Sequence, residues 1–331
     1  MNAGTLLAAL RRPLTTAALV AFGAVAAEAQ VFHARDLNTE QYKRIDRAKT
    51  VVIIPLGVLE EHGPYLPADT DGYIAEHVAR EVAAAVARKG YTALMFPFVP
   101  LGTDAMNEVP GRRPWPGSFV IRSQTFRAML MDLVTNIAEA GFRKVFVSNG
   151  HGAPTNVRML TQVCAYFNET YDDGYMAVLG GFLGPRVQSP EAAKLQQEAA
   201  GLLSPEAKRE QGGHADIDET SIMLFLQPHL VDPGYLEAPE NTWGMMDSES
   251  WLGYLGTPKY ATAQIGALRL KARCETAVAQ VCAVLDGAVP KPGPIPPTSD
   301  ASIDAPHKAI LAHDIELEKK QQEWIAKKGL K

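Results

Sequence analysis

An α/β fold, a mostly parallel sheet covered by helices on both faces, is what this sequence predicts, and three observations carry it. From Val51 onward, β-branched apolar runs alternate with stretches of helical length and period, the order expected when crossover helices join parallel strands. Two of the helical stretches close on Lys89-Gly90 and Ala140-Gly141, the basic or small residue and glycine that helix C-termini prefer. The acidic and imidazole side chains cluster where apolar runs end, and ligands of open parallel sheets gather at the carboxyl edge of the strands.

In order along the chain, Val31 to Lys49 is a polar lead-in with Tyr42 and Ile45 as its few apolar anchors. Thr50-Val51-Val52-Ile53-Ile54-Pro55-Leu56 has the β-branched character of a strand buried on both faces and predicts one over 51–56. A helix over 73–89, a strand over 92–99, a helix over 121–140, a strand over 144–148, a helix over 155–170 and a strand over 175–180 follow. Pro100 to Ser118 forms a long loop, of a length that is often functional in a compact domain. Gly181 to Gln211 is a second insertion with a polar helix-like segment, Pro190 to Glu198, and suits a lid or surface decoration equally. A helix over 259–286 gathers Ala263, Gly266, Ala267, Leu270, Cys274 and Ala277 on one side. Val289-Pro290-Lys291-Pro292-Gly293-Pro294-Ile295-Pro296-Pro297 is an extended linker. The charged tail beyond Ser302 carries only a weak stripe of Ile310, Leu311, Ile315 and Leu317, suited to a neighbouring subunit or to the chain's own core.

Three segments result: an export signal over 1–29, a catalytic α/β unit over 30–287, and a proline-rich linker with charged tail over 288–331. The signal has Arg11-Arg12 before an apolar run from Leu14 to Ala26, then Ala27-Glu28-Ala29 as a small-x-small cleavage site. That run falls short of the ~20 residues that span a bilayer, so no membrane insertion is expected after cleavage and a periplasmic or secreted protein starting at Gln30 is. The paired arginines leave the general secretory and twin-arginine routes both open. At 331 residues, 47% hydrophobic and 21% charged, core size is not limiting. A net charge of -5 without a basic, aromatic-interleaved run argues against nucleic acid as a partner and for a small-molecule substrate. Cys164, Cys274 and Cys282 make neither a disulfide framework nor a CxxC metal motif.

The chemistry sits at three places. Glu60-Glu61-His62-Gly63-Pro64 follows the first core strand, with Asp71 nine residues beyond the histidine, just before a helix that it can cap while facing a cation. In extended backbone Glu60 and His62 converge and Glu61 faces away. Asn149-Gly150-His151-Gly152 ends the strand over 144–148, and Gly212-Gly213-His214-Ala215 leads through Glu219-Thr220-Ser221 into a helix. His62, His151, Glu60, Asp71 and Glu219 are a mixed imidazole and carboxylate set of the kind that binds Zn²⁺, Mn²⁺ or Fe²⁺. Two such ions could share a carboxylate and activate water. His33, His77, His229, His307 and His313 lack supporting neighbours and are expected to be solvated or structural.

Gly57-Val58-Leu59-Glu60-Glu61-His62-Gly63-Pro64-Tyr65-Leu66-Pro67 through Thr70-Asp71, then Ser148-Asn149-Gly150-His151-Gly152, then His214-Ala215 with Glu219-Thr220-Ser221, resembles the creatininase (creatinine amidohydrolase) family. Pro116-Gly117-Ser118 resembles its Pro-Gly-Thr loop element and Gly253 to Gly266 its late glycine-proline segment, so that the likeness covers residues 35 to 287. The resemblance implies a hydrolase of carbon-nitrogen bonds other than ordinary peptide bonds, a homo-oligomer, often hexameric, with two divalent metal ions. By motif Glu60, Asp71 and His151 would hold one ion and His62 and Asp71 the other, with His214 as acid/base. The glutamate that creatinine hydrolases carry two residues after the His151 equivalent is Ala153 here; Glu219 stands in for it, as in family members with Asn-Gly-His-Gly-Gly. A hydroxide between the ions would attack the amide carbonyl while His214 protonates the departing nitrogen.

Creatinine itself fits poorly: Gly212-Gly213 precede His214 where creatinine hydrolases have a glutamate, and no tryptophan is near, although Trp115 and Trp243 could fold over the site. Export argues against the formamide hydrolases of flavin and deazaflavin biosynthesis; the family's peptide-trimming enzyme of cofactor maturation is a further precedent. A small cyclic amide is the leading expectation, a lactone or ester hydrolase and a non-catalytic periplasmic protein the alternatives. A phosphatase or nuclease is weaker, because Arg112-Arg113 are the only basic residues near the motifs.

Overall fold

The computed structural model describes residues 30–106, 116–179, 189–246, 248–292 and 305–330. Five strands, β1 (Val31–His33), β2 (Thr50–Leu56), β3 (Thr92–Met95), β4 (Lys144–Asn149) and β5 (Tyr175–Leu179), form one sheet in the order β1-β3-β2-β4-β5, with all pairings parallel. The connections are α2 (Thr70–Arg88), α3 (Ser123–Glu139) and α4 (Pro154–Thr170); α1 (Thr39–Arg44), α5 (Pro190–Gly201), α6 (Pro205–Arg209), α7 (Ile217–Leu226), α8 (Ala263–Leu285) and α9 (Ala305–Lys327) complete the helices used below.

Alternation along β2 divides the core. Val52, Ile54 and Leu56 pack with Phe126, Leu130 and Val134 of α3 and with Leu160 and Val163 of α4. Val51 and Ile53 face the other way, onto Ile74, Val78 and Val82 of α2 and Leu270 and Ala277 of α8. Both faces are thus covered, which is why these strands are apolar without a polar side. Close helix packing depends on Gly266 of α8, where a Cβ would lie 1.9 Å from the Ser221 carbonyl oxygen of α7.

Several elements differ from the sequence expectation. The lead-in is structured: β1 pairs with β3, and Asn38 and Gln41 close a capping box at the start of α1. β3 stops at Met95, and Val99 makes only an isolated bridge to Leu56. α2 begins at Thr70 with Asp69 as its N-cap, so Asp71 lies inside the first turn and not ahead of it. The helical part of the second insertion extends to Gly201 and buries Ala192 and Leu195 against Ala272 of α8, a packed helix; residues 180–188 of that insertion lie outside the described ones. Among the described residues no helix is long and apolar enough to cross a membrane. The three cysteines are free, Cys274 buried and Cys164 and Cys282 partly exposed.

The first half of α9 docks on the chain's own body. Ile310 is buried, the Asp314 carboxylate accepts hydrogen bonds from the Ser123 amide and hydroxyl at the start of α3, and Glu318 pairs with Arg122 at 3.2 Å. His307 is buried and shares a 3.0 Å hydrogen bond with the Thr155 hydroxyl of α4, so among the solvated-or-structural histidines it is structural. Deleting residues 305–331 is expected to lower the melting temperature by on the order of 5–10 °C, since buried Ser123 and Thr155 lose partners; thermal unfolding of the truncated chain measures it.

Candidate active site

β2 and β4 lie side by side at the centre of the sheet, and their register pairs Leu56 with Asn149. The segments leaving both strands therefore start together at the carboxyl edge. One carries Glu60 to His62, the other His151; Asp71 enters from the first turn of α2, and His214 and Glu219 from the loop and first turn of α7. Gly150 is what lets them meet, because a Cβ there would lie 2.2 Å from the Asp71 carbonyl oxygen. Gly150→Ala is expected to cost about 1–3 kcal/mol through overpacking and to weaken metal binding by displacing Asp71; denaturant unfolding and metal titration check both.

The carboxylates and imidazoles converge. His151 Nδ1 is 2.9 Å from Glu60 Oε2 and 3.1 Å from Asp71 Oδ2, while His62 Nε2 is 3.7 Å from both Asp71 Oδ1 and Glu219 Oε2. Glu60, Asp71 and His151 form one group whose ligating atoms lie within 4.8 Å of one another; His62, Asp71 and Glu219 form a second, sharing Asp71. Glu60, His62 and His214 form a third. Glu60, His62, Asp71, His151 and His214 are all at most 5% exposed, and Glu219 is partly exposed.

Each imidazole is oriented by a backbone carbonyl. His62 Nδ1 donates to the Glu60 oxygen at 2.9 Å, His151 Nε2 to Asp104 at 3.0 Å and His214 Nε2 to Glu61 at 2.9 Å. In the neutral ring the second nitrogen of each is thereby the acceptor, the arrangement by which outer partners fix the tautomer of metal-binding histidines. The His214 ring lies 4.6 Å from that of His62, centroid to centroid. Among the described residues, Asp104 and Ala215, both beside the site, are the non-glycine residues with positive φ, +69° and +48°, strain that the surroundings must hold in place.

The electrostatics favour cations. Burial disfavours a charge on His62, yet the Asp71 and Glu219 carboxylates more than offset it and push its pKa up to about 10. Burial likewise opposes the charge on Asp71, but His151 and His62 hold its carboxyl well below the usual range. Burial raises Glu219 to about 7 and lowers His214 to about 4. His62 Nε2 is buried without a hydrogen-bond partner. Three buried or partly buried carboxylates around it call for positive charge, from ring protons or from a bound cation, and the mixed donor set suits a borderline divalent ion.

Glu61 enters none of the three ligand groups; it is buried beyond the end of the strand at Leu56, accepting from the Gly63 amide at 3.0 Å while its own amide donates to Ser118 Oγ. Glu219 combines both roles weighed for it, since its Oε2 accepts from the Ala215 amide at 2.6 Å while facing His62. Sequence reasoning also missed four contributors. Asp104 holds His151 and, through its carboxylate, the Thr155 amide at 2.6 Å; the Met106 amide donates to Glu60 Oε1. Asp216 organises the His214 loop by accepting from the Gly212 and Gly213 amides at 3.1 and 2.8 Å. Arg273 of α8 lines the cleft and corrects the expectation that Arg112-Arg113 are the only basic residues near the motifs.

The cleft has a volume of about 320 Å³ and is lined by Glu60, Asp71, His151, His214 and Glu219 together with Met106, Trp243 and Arg273. Trp243 thus lies where an aromatic was sought; Trp115 and Arg112-Arg113 lie outside the described residues.

A family profile described as creatinine amidohydrolase matches residues 35–285. The mycofactocin precursor peptide peptidase of Mycobacterium ulcerans (strain Agy99) is 28% identical over 247 residues, covering 70% of this chain and 84% of the peptidase. The creatinine amidohydrolase of Pseudomonas putida is 23% identical over 218 residues, 60% of this chain and 72% of that protein. Among solved structures, a mutant creatininase of Zn-Zn type superposes with a TM-score of 0.58 at 23% identity, covering 76% of this chain and 97% of that one.

Proposed function

Because the chain belongs to the creatininase family, whose members are metal-dependent hydrolases, we propose that it is an exported, homo-oligomeric amidohydrolase that cleaves the carbon-nitrogen bond of a small cyclic amide. The observation that carries this reading is the pair of ligand groups sharing Asp71. In this assignment Glu60, Asp71 and His151 hold one divalent ion, and His62, Asp71 and Glu219 hold the other. When bound, such ions lower the pKa of water and polarise a carbonyl.

The chain's own residues supply the rest. His214 is neutral at physiological pH, because burial brings its pKa down to about 4. Its Nε2 is committed to the Glu61 carbonyl, which leaves Nδ1 to take a proton from the nucleophile and pass it to the departing nitrogen. Glu61 thereby positions His214 through its backbone, and Asp104 does the same for His151. The cleft, about 320 Å³, sits at the small end of the roughly 300–1,000 Å³ range of ligand pockets, which supports a small ring over an extended polymer.

A second reading rests on the similarity to mycofactocin precursor peptide peptidases: release of a terminal residue from a short peptide, with the same residues in the same roles. Purifying the exported protein, counting metal per subunit and assaying lactams, imides, formamides, lactones and dipeptides with and without chelator separates the readings. Chelator-sensitive turnover of cyclic amides supports the first; turnover confined to dipeptides supports the second, and turnover confined to lactones would replace amide cleavage by ester cleavage. A mature amino terminus at Gln30 and a multimeric mass by light scattering test export and assembly.

A further inference from the structure

Arg273 has a position that the proposed reaction does not use. It projects from the interior of α8, is half-buried, and lines the metal cleft together with Glu219, His214 and Gly213. One turn earlier Arg269 pairs with Asp218 at 3.1 Å. Among the described residues no carboxylate oxygen lies within 4.0 Å of the Arg273 guanidinium, although its charge acts on both Asp218 and Glu219. A guanidinium presents a planar fork of donors that matches a carboxylate through two parallel hydrogen bonds, and here that fork borders the cleft without direct pairing.

The charge balance of the loaded cleft points the same way. Glu60, Asp71 and Glu219 bring three negative charges against the four of two divalent ions, and Arg273 adds a further positive one. An uncharged amide would leave this surplus of two uncompensated; an amide bearing a carboxylate would reduce it to one. Resting on the amidohydrolase reading above, we infer that Arg273 is a specificity residue that receives the carboxylate of the substrate, so that the substrate class is a small cyclic amide carrying an acid group. Trp243, 59% exposed at the same cleft, offers the apolar face against which such a ring can lie.

The test uses the metal-loaded protein and two probes of one skeleton, 2-pyrrolidone-5-carboxylate and its uncharged carboxamide, with dissociation constants measured calorimetrically. The acid is expected to bind on the order of 10- to 100-fold more tightly than the carboxamide, as a charged hydrogen-bonded pair implies. That ratio should fall towards one in Arg273→Met and recover in part in Arg273→Lys. Equal affinity in the unsubstituted protein, no binding of either probe, or a preference that survives in Arg273→Met overturns the assignment. Metal counted on each variant separates a second role: metal lost from both variants makes Arg273 a structural counter-charge to Glu219 and also overturns it. Hydrolysis is followed separately, so that an acid preference without turnover of any amide fails the enzymatic reading while leaving the anionic subsite in place.

Discussion

His214→Ala lowers amide turnover by about 10²- to 10⁴-fold, the range set by losing a positioned acid/base group, and leaves the metal per subunit unchanged. The reason lies in how the ring is held. Nε2 is bonded to the Glu61 carbonyl and Nδ1 is left over, while the two ligand groups that share Asp71 are complete without His214. The third group, Glu60 with His62 and His214, gives the experiment its other outcome: loss of metal in the variant would make His214 a ligand. Binding of a slowly cleaved amide should be weakened far less than turnover, because proton transfer belongs to the transition state.

Asp71→Asn empties both positions at once. One oxygen of Asp71 faces His62 and the other faces His151, so no other side chain serves both groups. The neutral amide keeps the shape but removes a charge and places an NH₂ donor towards one of the imidazoles. The loss in metal affinity should exceed the roughly 10–100-fold that follows loss of an outer partner, with turnover falling in parallel, both read by metal analysis and kinetics at saturating metal. Retention of one ion per subunit would show that the groups act independently and that Asp71 is not shared.

Much of this was legible in the residues. The strands over 51–56 and 144–149 are buried on both faces, so packing leaves them no choice but β-branched and apolar side chains, and their ends are marked by glycine. That made the neighbourhood of Glu60, His62 and His151 visible as a strand-end cluster. β1 escaped notice because three residues at a sheet edge carry too short a pattern to separate from a polar lead-in. The burial of Glu61 was not visible because irregular backbone beyond Leu56 no longer follows the alternation of a strand. Asp104 and Arg273 belong to no motif; one acts through a carbonyl held by a positive φ and the other through its height on α8, and neither property has a sequence signature. The tail's weak apolar stripe left docking on a neighbouring subunit and on the chain's own core both open because its main attachments, His307 and Asp314, are polar.

That helix has a consequence for how the molecule can be divided. α9 is joined to α8 only through residues 286–304, and its contacts with Ser123 and Thr155 are those of a bound ligand that happens to be covalently attached. Covalent attachment of this kind holds such a segment at an effective concentration on the order of millimolar. A synthetic peptide of residues 305–327 should therefore restore the stability of the truncated protein in trans, but only when supplied near that concentration. Were α9 to leave, Thr155 would lose its partner His307, which would loosen the backing of Asp104 and, behind it, His151.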